Sequence, residues 1–171
     1  MKTRIKYLLT RQEEGKEMTA GVFSSRKKSQ NALHEITTKR YESIKRNMSD
    51  AGYPAIECLI SDTVMTIKDN NRILAIITIE GPKGTPKIYT KVRHLRIRHK
   101  ACYSDDIRDE FKDTTDDAIE IISEIAFRNK RSILILDTRN KINRIRVETN
   151  YISQNIIYHV ERMEEDTIKK D

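Results

Sequence analysis

Tryptophan is absent from this sequence, and cysteine, proline and glycine are scarce, at two, three and five among 171 residues. Each scarcity excludes something. Two cysteines, Cys58 and Cys102, supply neither the number nor the spacing of a disulfide framework or a zinc site. They predict reduced thiols in a cytoplasmic protein. With so few glycines and prolines there is no low-complexity tract, and no internal repeat is visible. No segment approaches the roughly 20 apolar residues that span a bilayer. The basic start, Met1 to Lys6, is followed only by Tyr7-Leu8-Leu9, too short for the apolar region of a signal peptide. No membrane partner is expected.

Nucleotide and hydrolase motifs are missing too. No GxGxxG, P-loop or GxSxG pattern occurs. The four histidines, His34, His94, His99 and His159, show no metal-ligand spacing supported by cysteine. No cofactor is predicted.

Charge is abundant. Charged residues make up 35% of the chain and hydrophobic ones 37%, with a mean hydropathy of -0.69, so a modest core can form. The net charge of +7 attracts polyanions over a Debye length of about 10 Å, which makes nucleic acid a candidate partner. Isoleucine outnumbers leucine 25 to 8. The two are nearly equivalent core fillers, so packing does not explain the ratio. An AT-rich genome, as in low-GC bacteria, many phages and large DNA viruses, would.

Turn and periodicity signals divide the chain. Residues 3–10 and 18–23 read as strands of a hairpin around Glu13 to Glu17. Ser24 or Ser25 can cap a helix whose face carries Leu33, Ile36, Tyr41, Ile44 and Met48, and Gly52 ends it. Strands follow at 55–61 and 63–68, then a turn at Asp69-Asn70-Asn71. The β-branched run 72–79 predicts a central strand buried on both faces. Gly81 to Pro86 is the strongest punctuation in the sequence. Beyond it, strands are predicted at 88–92 and 94–99, a helix from Ser104, a buried strand at 132–136, a turn at 137–141 and a strand at 142–147. A last helix from Asn150 carries Ile152, Ile156, Val160 and Met163 inward. The expectation is an α+β protein of two small packed subdomains with mostly antiparallel sheets. Residues 1–81 form ββαβββ, 82–86 a linker, and 87–171 ββαββα.

The strand, the charged turn, Ala20-Gly21-Val22-Phe23-Ser24-Ser25 and the helix in order resemble the opening of small ββα modules in phage and bacterial proteins. The resemblance covers about 35 residues, holds no catalytic motif and implies no activity.

Two adjacent segments carry most of the chemistry. Between Lys83 and Lys100 lie Lys83, Lys87, Lys91, Arg93, Arg96, Arg98 and Lys100, with no acidic residue. On a strand, Arg96, Arg98 and Lys100 share one face at about 7 Å intervals, near the spacing of phosphates along one nucleic-acid strand. Tyr89 can stack on a base there. A solvated outer strand whose cations discourage edge pairing is the plainer alternative. Between Ser104 and Glu124, nine carboxylates face only Arg108 and Lys112. Such a helix pairs with the basic strands or docks on a basic partner. A further basic cluster comprises Arg128, Lys130, Arg131, Arg139, Lys141, Arg144 and Arg146.

Three functions are consistent with these features. The first is a nucleic-acid-binding accessory or regulatory protein, phage- or virus-encoded, that grips phosphate backbone. Its contacts are Lys87, Tyr89, Lys91, Arg93, Arg96, Arg98, Lys100, Arg128, Lys130, Arg131, Arg139, Arg144 and Arg146. The second is a protein-interaction module that inhibits a host nucleic-acid-processing enzyme through the acidic helix or a basic strand. The third is a Mg²⁺-dependent nuclease in which Asp137, ending a buried strand, pairs with Asp113, Asp117 or Glu120. An aspartate at that position is also a common turn-former.

Overall fold

A computed structural model describes residues 3–80, 85–88, 119, 123, 126–149 and 152–166. The predicted basic strands at 88–99, apart from Ile88, and most of the acidic helix lie outside these residues.

The chain opens as a β-hairpin, β1 (Thr3–Glu13) and β2 (Lys16–Phe23). Glu14 and Gly15 close it in left-handed backbone, the conformation a two-residue type I′ turn demands. Helix α1 (Arg26–Asp50) follows, its first turn capped by Ser25, whose Oγ accepts the Lys28 N–H at 3.1 Å. At its far end Gly52 is left-handed. The Tyr53 N–H reaches the Met48 carbonyl at 2.8 Å and the Gly52 N–H reaches that of Ser49 at 3.1 Å, a Schellman motif.

Strands β3 (Ala55–Ile60), β4 (Val64–Asp69), β5 (Arg72–Glu80) and β6 (Thr85–Ile88) come next. Asn70 and Asn71, both left-handed, make the β4–β5 turn. A helical stretch ending at residue 128 leads into β7 (Ser132–Asp137), a 3₁₀ turn (Arg139–Lys141), β8 (Asn143–Glu148) and β9 (Ser153–Asp166).

These strands form one sheet in the order β2-β1-β9-β8-β7-β3-β4-β5-β6. The last three strands of the chain therefore sit between β1 and β3, and sheet hydrogen bonding runs unbroken through both halves. Every pairing is antiparallel except β3 with β7. The architecture is mixed α+β and mostly antiparallel. The first 80 residues keep the predicted ββαβββ order.

One face of the sheet is covered by α1. There Leu33 and Tyr41 of the helix pack with Leu9, Leu134, Ile145, Val147, Ile156 and Tyr158. On the opposite face, Ile56, Cys58 and Ile60 of β3 adjoin Met65 and Ile67 of β4 and Ile133 and Ile135 of β7, all buried. Glu57, turned toward α1, is buried against Lys45 of the helix.

Two predictions need correction. The segment after Asn150 is not a helix but the 14-residue strand β9. Ile152, Ile156, Val160 and Met163 mimic a helical stripe, yet Ile156 and Tyr158 are buried while Ile152 and Met163 are 55% and 47% exposed. Inward positions recur every two residues because β9 lies between β1 and β8. Second, the run 72–79 is not the central strand. β5 is next to the edge, with Ile73 and Ile76 exposed, and β7 holds the centre. A continuous apolar run by itself neither buries both faces of a strand nor places it at the centre of a sheet.

Candidate nucleic-acid interface

Six of the predicted phosphate-binding cations, Arg128, Lys130, Arg131, Arg139, Arg144 and Arg146, lie among the described residues with their side chains; all flank β7. Tyr89, Lys91, Arg93, Arg96, Arg98 and Lys100 lie outside the described residues. Lys87 falls on β6, opposite Thr78.

At the entrance to β7, the preceding helix ends in a second Schellman motif. The Arg131 N–H reaches the Ala126 carbonyl at 2.7 Å and the Lys130 N–H that of Phe127 at 3.1 Å. The left-handed residue is Lys130, at φ 56°, where glycine is the favoured occupant. Arg131 turns back across the sheet. Its Nη2 and Nη1 donate to the two carboxylate oxygens of Asp69 at 2.6 and 3.0 Å, and its Nε donates to the Pro54 carbonyl at 3.0 Å. The guanidinium holds the Asp69 carboxyl below the usual carboxylate range. Arg131 therefore ties β4 and the α1–β3 loop to β7. Beside it opens a groove of about 670 Å³ lined by Ile44, Met48, Tyr53, Lys130, Val147 and Ile152 among others.

At the exit, Asp137 and Arg139 form a tight corner. Arg139 Nε and Nη2 donate to the Asp137 carboxylate at 2.9 and 2.6 Å, and the Arg139 N–H adds a bond of 3.1 Å. The Thr138 N–H docks on the Ile60 carbonyl at 2.8 Å, and the Asn140 N–H on Asp62 at 2.9 Å. Asn140 and Lys141 are left-handed, which turns the chain into β8 within a few residues. The Asp137 carboxylate is thus engaged by arginine, the role of a corner-former. Arg144 stands opposite Asp137 on β8, exposed, at the rim of a 280 Å³ hollow that Asp137, Arg139, Asn140 and Ile142 also line. Arg146 shares its sheet face but donates to Glu148.

The six cations divide evenly. Arg131, Arg139 and Arg146 are neutralised by Asp69, Asp137 and Glu148. Arg128, Lys130 and Arg144 are exposed and have no acidic partner among the described residues. Lys130 and Arg144 stand at opposite ends of the β7–β8 pair.

A second polar constellation escaped sequence reasoning. Glu17 of β2 and His159 and Glu161 of β9 bring their donor atoms within 4.8 Å of one another. The only local signal is the spacing of His159 and Glu161, two apart and hence on one strand face. No known protein family, curated protein or solved structure matched this chain in comparison.

Proposed function

We propose that this protein binds DNA or RNA through its phosphate backbone, using the basic residues of its second half as an accessory or regulatory factor. The observation behind this reading is the set of cations without acidic partners among the described residues, Arg128, Lys130 and Arg144, flanking the central strand. A guanidinium or ammonium already matched to a carboxylate has little field to offer a phosphate, whereas these three retain theirs. Together with the basic residues Lys87, Lys91, Arg93, Arg96, Arg98 and Lys100 of the sequence, they supply charge for gripping phosphate without reading base edges, so sequence preference is weak.

The test is fluorescence anisotropy of labelled single- and double-stranded DNA and RNA at 50 and 200 mM salt, with Mg²⁺ present and probe integrity checked afterwards. Intact probe and an affinity that falls steeply with salt are expected, with a shallower slope for Lys130→Glu/Arg144→Glu. No binding at 50 mM salt, or salt-independent binding, overturns the proposal.

One observation favours the second reading, a protein-interaction module directed at a nucleic-acid-processing enzyme. Exposed Tyr53 and Ile152 line the 670 Å³ groove beside Lys130, a setting suited to an apolar side chain of a protein partner rather than to phosphate.

A further inference from the structure

We propose that Glu17, His159 and Glu161 form a binding site for one divalent first-row transition ion such as Zn²⁺. The three residues lie on the sheet face opposite α1 and come from strands β2 and β9, with β1 between them. The two-residue turn at Glu14-Gly15 puts Glu17 there: Glu13 pairs with Lys16, so Glu17 falls opposite Gln12, on the face of His159 and Glu161.

The donor set converges on one point. Glu161 Oε1 lies 2.9 Å from His159 Nε2. Thr10 Oγ1, on a residue only 4% exposed, sits 2.9 Å from Nδ1 and 3.0 Å from Nε2. Thr10 Oγ1 is almost equidistant from the two ring nitrogens, so it packs against the ring and leaves the in-plane side of Nε2 facing the Glu161 oxygen. Neither Glu17 nor Glu161 has a lysine or arginine partner among the described residues. Among the described residues, two carboxylates and one imidazole therefore meet with no lysine or arginine paired to them.

Ligand atoms about 2.1 Å from a tetrahedral Zn²⁺ lie about 3.4 Å apart, so the Nε2–Oε1 pair at 2.9 Å opens by about half an ångström to admit the ion. One nitrogen and two carboxylate oxygens match a borderline ion such as Zn²⁺ better than Mg²⁺ or Ca²⁺, which take oxygen alone. Glu17 and Glu161 are exposed, leaving room for water in the remaining positions. Thr10 acts as a positioning residue that holds the imidazole by contact with both ring nitrogens.

The test is isothermal titration of the chelator-stripped full chain with Zn²⁺ alone, alongside Glu17→Gln, His159→Ala and Thr10→Val. One ion per chain at micromolar affinity is expected. Glu17→Gln and Thr10→Val should each weaken it about tenfold, and His159→Ala should abolish it. Glu17 lies on an exposed edge strand, so its substitution separates ligand loss from misfolding. Binding absent below millimolar Zn²⁺, or unchanged in Glu17→Gln and His159→Ala, overturns the proposal and leaves His159 hydrogen-bonded to Glu161.

Discussion

Lys130 occupies, before β7, the same left-handed position that Gly52 occupies after α1: each is the residue at which a Schellman motif closes. The two helix ends share backbone geometry and differ in side chain. Left-handed backbone costs an ordinary side chain about 1 kcal/mol relative to glycine. The two positions therefore make opposite predictions.

Gly52→Ala should destabilise the protein by about 1 kcal/mol, because a Cβ there meets no atom within 4 Å and the cost is backbone strain alone. Lys130→Gly should stabilise it by a similar amount. Urea unfolding measures both. If Lys130 contacts phosphate, its glycine variant gains stability while losing nucleic-acid affinity, a split that a purely structural lysine would not produce.

The Arg131–Asp69 pair predicts a pH dependence. Asp69 has a lowered pKa in the fold, so its stabilising contribution is present above the unfolded carboxyl pKa of about 3.9. That contribution disappears as pH falls through the lower folded value. Asp69→Asn should cost about 1–2 kcal/mol at neutral pH and flatten the stability curve below about pH 4. Urea midpoints at pH 7 and pH 3 check this; an equal loss at both would mean that the charge plays no part.

Strand β9 is tested by truncation. Ile156→Ala should cost about 2–5 kcal/mol and Tyr158→Ala about 3–5, since both side chains are almost wholly buried. Ile152→Ala and Met163→Ala should each cost less than about 1 kcal/mol. A helix would instead make Ile152, Ile156 and Met163 comparably expensive.

Cys58 has no solvent exposure, and burial, the main cause, pushes its thiol up to about 12. In a Cys102→Ser background the native protein should resist a thiol-reactive disulfide at pH 8 and react fully once unfolded. Rapid native labelling would place Cys58 outside the core.

Much of the local structure is legible in the residues. Ser25 marks the helix start, Gly52 its end, and Asn70-Asn71 a turn, because each signal acts on the backbone within a few residues. The buried strand at 132–136 is equally plain. The candidate sites are less so. Arg131 and Arg144 look alike in sequence, and it is Asp69, 62 residues before Arg131, that neutralises the first and leaves the second without such a partner among the described residues.

Charge, turn positions and the alternation of apolar residues are properties of the chain itself, and they fixed the α+β class and the order of the first six elements. Strand order, the β9 conformation and the meeting of Thr10 with His159 across 149 residues were decided only in three dimensions. A strand chooses its neighbours by matching buried faces and completing backbone hydrogen bonds, and a local pattern carries no record of which distant strand will provide them.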